Sequence, residues 1–234
     1  MHEIVGSGNI RELIPGYERK EHHLIEEDVI NDFSGIVFKT MQSTFKNDSY
    51  LNFPYTYKNK DIKEDIEKLK TRLIDWYSSL KNQVVIDLHP ASNIDNFVLS
   101  CLVQAKAYIA IEPVKNNAYG VIGPSIEYFK HDKQFDLIPY NIINTHALDF
   151  LLDVPQNSIS LVSANPMHFA FIYEDELINS KLKETIIKTL DSRGVFLEYD
   201  IVSPFYMEDI INIRKDVYTY EKGKFIKKYT KLNS

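Results

Sequence analysis

The sequence predicts an α/β fold: a mostly parallel sheet with helices on both faces, closed by an antiparallel C-terminal hairpin and preceded by a helical N-terminal extension. Three observations carry this. From residue 83 onward, short apolar runs of strand length alternate with longer amphipathic segments, the pattern of strand–helix–strand units. Two apolar–aromatic runs near the end flank Glu221-Lys222-Gly223-Lys224, a hairpin signal. Residues 1–80 lack this alternation and read as helices and loops, which divides the chain into an extension or cap (1–80) and an α/β domain (81–234).

In the extension, Gly6-Ser7-Gly8 and Pro15-Gly16 are turn signals, and the first reads as a loop because no strong strand precedes it. Residues 24–44 suit one or two helices, and the Asn-, Pro- and Tyr-rich stretch 47–57 an ordered loop. Ile62, Ile66, Leu69, Leu73, Trp76 and Leu80 recur at steps of four and three, so one helix face is apolar. Lysines and acids mix on its other faces, as on a solvated surface.

In the second part, strands are expected at 84–88, 108–112, 140–143, 160–164 and 195–199, and helices at 94–104, 118–130, 175–190 and 207–215. Residues 217–220 and 225–229 are the arms of the hairpin.

Composition removes several functional classes. A chain of 234 residues buries enough surface to fold without staples. Its single cysteine forms no internal disulfide and no Cys-rich zinc site. No apolar run reaches the ~18 residues of a membrane span, and no signal peptide opens the sequence, so the expectation is a cytoplasmic protein. The net charge of -6 argues against general nucleic-acid binding. Seven basic and two acidic residues lie between 214 and 234. They read as the lysine-rich edge of a sheet, where such charge discourages strand-to-strand aggregation, rather than as a surface for an anionic partner.

The run Val84-Val85-Ile86-Asp87-Leu88-His89-Pro90-Ala91-Ser92-Asn93 resembles the first motif of the Rossmann-like S-adenosylmethionine-dependent methyltransferases, in a divergent form. That motif ends a strand with an acid and then places glycines at alternate positions. Asp87 matches the acid, and His89, Ala91 and Asn93 stand where the glycines would be. Glu112, 25 positions after Asp87, matches the acid that holds the cofactor ribose in this family. Residues 145–150 look like the loop after the third strand, where Asp149 matches an acid near the adenine; Asp153 competes with it. Asn165-Pro166-Met167-His168 is similar to the Asn-Pro-Pro-aromatic loop of enzymes that methylate nitrogen, with Met167 and His168 in the last two places. The resemblance spans residues 80–234 and implies a seven-stranded sheet, S-adenosylmethionine as cofactor, and a methyl acceptor near Asn165 and His168, with His168 as a general base.

The departures have a physical meaning. Glycine lets backbone approach a cofactor and adopt torsions that other residues resist. Ala91 is a mild loss, Asn93 tolerates a left-handed conformation, and His89 is the largest change because its ring competes for the pocket. Two readings follow. One is a methyltransferase acting on an unidentified, small-molecule acceptor. The other is a methyltransferase-fold protein without catalysis that serves as a binding or regulatory partner. The other histidines show no HExxH spacing, so no metal is expected, and Cys101 lies in an apolar run as an inert core residue.

Overall fold

The computed structural model describes residues 4–20, 80–90, 95–113, 136–164, 176–199, 213–221 and 224–232, together with 122, 123 and 126. Twelve elements follow one another in these stretches: β1 (Ile4–Gly6), α1 (Ile10–Leu13), β2 (Val84–Leu88), α2 (Asp95–Leu102), β3 (Ala107–Ile111), β4 (Tyr140–Ile143), α3 (Ala147–Asp153), β5 (Ile159–Ala164), α4 (Glu176–Thr189), β6 (Leu190–Tyr199), β7 (Ile213–Glu221) and β8 (Lys224–Lys231). The expected helices at 24–44 and 62–80, apart from Leu80, lie outside the described residues, as does most of 118–130.

The strands form one eight-stranded sheet in the order β1-β4-β3-β2-β5-β6-β8-β7. Strands β4, β3, β2, β5 and β6 are mutually parallel. The C-terminal hairpin β7–β8 adds to β6 in antiparallel fashion, with β7 at the edge. Successive strands run outward from β2 through β3 to β4, then restart at β5 on the other side of β2. The strand order therefore reverses between β2 and β5, and a crevice opens there outside their carboxyl ends.

Both faces of the sheet are covered, which is why its parallel strands read as unbroken apolar runs. Val84, Ile86 and Leu88 join Leu148, Leu151, Leu182 and Ile186 of α3 and α4 in one core. Val85 points the other way, into a core with Phe97, Val98 and Cys101 of α2. Cys101 is fully buried, as its apolar setting predicts.

The structure corrects the predicted elements in four places. An eighth strand exists: Ile4–Gly6 pairs antiparallel with β4. A three-residue strand leaves too few residues for a period-two signal, and Gly6 is the clue to its docking. A Cβ at that position would lie 2.1 Å from the Tyr140 carbonyl oxygen, so only glycine permits the approach. Next, residues 213–215 are not the end of a helix but the start of β7, paired with residues 229–231 of β8. Third, β6 begins at Leu190 rather than 195, and the register shifts between the Ile159–Leu190 and Leu161–Val195 pairs. Arg193 takes φ 72° within that bulge. Fourth, Asp149 is in the first turn of helix α3 rather than in a loop. The first three corrections share a cause: cross-strand pairing outweighs local pattern.

Candidate functional site

The carboxyl ends of β2 and β3 carry two of the acids singled out in the sequence, Asp87 and Glu112, and a third, Asp149, lies on the helix after β4. Asp87 is the penultimate residue of β2 and is buried. Tyr108 of β3 donates its hydroxyl to Asp87 Oδ2 at 2.8 Å. Ser163 of β5 donates to Asp87 Oδ1 at 2.9 Å, and Asn96 of α2 donates its Nδ2 to Ser163 Oγ at 3.1 Å. The chain Asn96–Ser163–Asp87–Tyr108 thus ties α2 and three strands together beneath the crevice. A buried carboxylate is costly unless it is hydrogen-bonded, and here a donor from each neighbouring strand meets it. The sequence motif predicted the acid but not its holders. Their signal was present: a serine within Leu161-Val162-Ser163-Ala164 and a tyrosine hydroxyl within Ala107-Tyr108-Ile109 are polar groups in apolar runs, and such groups need partners when buried.

His89 follows β2 directly. It is fully buried and adopts φ 53°, the left-handed region that the family's glycine would enter freely. Histidine is among the residue types that visit this region more often than most, so the turn keeps a glycine-like torsion at this position without the glycine. Its backbone N–H donates to the Ile111 carbonyl at 2.7 Å, which fastens the turn to the end of β3. Ala91 and Asn93 lie outside the described residues, as do Asn165 and His168, so the acceptor-side loop is not described.

Glu112 stands immediately beyond β3 and is 0% exposed. Its N–H donates to the Ile143 carbonyl at 3.1 Å. Asn144 uses both hydrogens of its amide, one to the Glu112 carbonyl and one to the Pro113 carbonyl, each at 2.9 Å. The carboxylate-bearing turn is therefore held by the end of β4. Sequence reasoning passed over Asn144, because an asparagine after a strand is an ordinary turn residue.

Asp149 and Asp153 are both buried on α3, but they serve opposite ends of it. Helix α3 leaves the carboxyl end of β4, so its first turn lies toward the crevice and Asp149 with it. Four residues on, about 6 Å along the axis, Asp153 Oδ1 accepts the backbone N–H of Lys20 at 3.1 Å. Burial, and then the Asp153 carboxylate, push the Tyr17 hydroxyl up to about 12, while Arg19 pulls it down. Asp153 thus anchors the N-terminal segment, whereas Asp149 lies in the first turn of the helix.

A further acid was not singled out in the sequence. Glu198, near the end of β6, is 1% exposed. Tyr229 of β8, fully buried and stacked on Phe196 at 5.9 Å between centroids, donates its hydroxyl to Glu198 Oε2 at 3.2 Å. In register, Glu198 lies beside Ala164, and Ala164 beside Leu88.

A shallow cavity of about 220 Å³ lies elsewhere among the described residues: Gln83, Ser160, Asp191 and Arg193 place it at the amino-terminal ends of β2, β5 and β6. Ligands of open α/β sheets bind at the other end. No three His, Cys, Asp or Glu side chains among the described residues could hold a metal ion. No helix among them is long and apolar enough to cross a membrane.

No protein-family model and no curated protein matches the sequence. Solved structures do match in fold. A candidate methylase from Haemophilus influenzae superposes with a TM-score of 0.51 at 18% identity, over 72% of this chain and 99% of that one. A candidate methyltransferase from Escherichia coli does so with a TM-score of 0.51 at 11% identity, over 71% of this chain and 86% of that one. With its reversal between β2 and β5 and its antiparallel closing hairpin, this chain has the Rossmann-like fold of the methyltransferases.

Proposed function

We propose that the protein binds S-adenosylmethionine in the crevice above β2, β3 and β5 and transfers its methyl group to a small-molecule acceptor. The observation that carries this reading is Glu112: a fully buried acid at the carboxyl end of the strand next to the reversal point, its main chain held by the Ile143 carbonyl and by Asn144. An acid at that place suits a ribose diol, since its oxygens accept from both hydroxyls. The donor and acceptor set fits the cofactor. Glu112 would take the ribose, Asp149 would lie near the adenine, and Asp87 with residues 89–93 would border the methionine portion. The left-handed torsion of His89 keeps the turn compatible with that role.

The cofactor supplies a methyl group already activated on a sulfonium. What remains for the protein is alignment, which alone accounts for much of the rate in such displacements. Asn165 would orient the acceptor and His168 would take up its proton, a task suited to an imidazole near neutrality. The N-terminal extension, residues 1–80, would serve as a cap that excludes water. The net charge of -6 favours a small acceptor over nucleic acid, and the location we propose is the cytoplasm.

The test is thermal unfolding with S-adenosylmethionine and S-adenosylhomocysteine. Ligand at 100 times its dissociation constant adds about 2.7 kcal/mol of stability, a shift of several degrees for a chain of this size. The shift should vanish in Glu112→Ala while the unliganded melt stays cooperative. No shift at millimolar ligand overturns the reading and points to a closed pocket and a protein partner.

A further inference from the structure

We infer that Glu198 tunes the site to the charge of the cofactor, favouring the cationic sulfonium of S-adenosylmethionine over the neutral thioether of S-adenosylhomocysteine. The inference rests on the cofactor reading above and adds a residue that the first-motif resemblance does not contain. If the ribose lies over β3 at Glu112 and the acceptor loop follows β5, the methyl-bearing sulfur lies between them, above β2 and β5. Glu198 occupies the same cross-strand row as Leu88 and Ala164, one strand beyond β5. With strands about 4.8 Å apart, its backbone lies roughly 5–10 Å from that position along the sheet.

The side chain is also fixed. Tyr229 donates to Oε2 and is itself packed against Phe196 in the core. Glu198 shares the face of Leu88 and Ala164, both buried in the core beneath the crevice. Its own burial removes it from bulk water, so its field reaches the crevice with little screening. Across β8 its backbone register partner is Lys227. A carboxylate acting on a unit cation over about 8 Å at an effective dielectric near 20 changes an affinity by roughly tenfold or more. The neutral product gains nothing from the same charge. Glu198 would therefore hold substrate cofactor and release spent cofactor, a specificity role with no covalent step.

The experiment measures the dissociation constants of S-adenosylmethionine and S-adenosylhomocysteine by calorimetry for the full chain, Glu198→Gln, Glu198→Asp and Tyr229→Phe. Glutamine keeps an oxygen for the Tyr229 hydroxyl but carries no charge. The expected result is that Glu198→Gln lowers the preference for S-adenosylmethionine roughly tenfold with S-adenosylhomocysteine affinity unchanged. Glu198→Asp and Tyr229→Phe, which keep the charge, should retain most of the preference, and Glu198→Met, uncharged and apolar, carries the test if the glutamine variant does not fold. An unchanged ratio in Glu198→Gln, or equal losses for both ligands, overturns the inference while the cofactor reading stands. If the aspartate and phenylalanine variants lose the preference as fully as glutamine does, charge is not its source and the inference also falls. If the unmodified protein binds neither ligand, the cofactor reading fails first and takes this inference with it.

Discussion

Tyr108→Phe isolates the bond that holds the acid of β2. The substitution removes one oxygen and little else. The ring of Tyr108 is fully buried and packs edge-on against Phe97, with centroids 5.4 Å apart and planes at 68°, and phenylalanine preserves that contact. The apolar burial therefore hardly changes. What is lost is the 2.8 Å hydrogen bond from the hydroxyl to Asp87 Oδ2. A hydrogen bond to a charged group contributes about 1.5–3 kcal/mol. For a chain of this length each kcal/mol moves the melting temperature by about 2–4 °C, so the expected fall is roughly 3–12 °C. Calorimetry or circular dichroism at neutral pH reads it directly. Ser163→Ala should cost a similar amount, because it removes the donor to Oδ1 and the acceptor for Asn96. The double variant should lose less than the two singles together. Once both donors are gone, the carboxyl takes up a proton or a water and no longer stays charged without partners. A melt of Tyr108→Phe within about 1 °C of the unmodified protein, or strict additivity of the pair, would refute the claim that Asp87 is held as a buried carboxylate by this network.

Gly6→Ala should detach β1 from β4, since a Cβ there would lie 2.1 Å from the Tyr140 carbonyl oxygen. Hydrogen exchange should then speed at the Ser7 amide, which donates to that same carbonyl, while the amides between β2 and β5 keep their protection. Burial pushes the Cys101 thiol up to about 12, only partly offset by a backbone hydrogen bond from Ile138. Thiol reagents at pH 8 should therefore leave the native protein unmodified and label it once denatured; labelling at the rate of a free thiol would contradict its buried placement. Cys101 and Tyr17 both titrate higher folded than unfolded, so both favour the native state below the ordinary values of 9.0 and 10.0, and that stability is lost as the pH rises toward about 12. Denaturant melts between pH 8 and 11 should show stability falling with pH, with a shallower fall in Cys101→Ala.

The parallel core was legible in the sequence because burial on both faces leaves a local trace. Val84-Val85-Ile86 and Tyr108-Ile109-Ala110-Ile111 are apolar throughout, and the structure makes them adjacent strands in register. Asp87 and Glu112 were likewise legible as candidates, since each follows such an apolar run. The basic hairpin was readable for the same reason: alternation about a single glycine needs no distant partner to be recognised. The sequence by itself thus determined the class of fold and the candidate acids on β2 and β3, through composition and period. Only the tertiary structure decided which groups hold them. Ser163 and Tyr108 are 76 and 21 residues from Asp87 along the chain but one strand away in space. The same holds for β1, a strand only because Tyr140 leaves room for Gly6, and for Asp153, whose carboxylate accepts the distant Lys20 N–H. Glu198 has no local mark at all. Its place beside Ala164 and its clamp by Tyr229 come from the pairing of β6 with β5 and β8. Hydrophobic period is a property of neighbours in sequence, whereas hydrogen-bond partners and electric fields belong to neighbours in space.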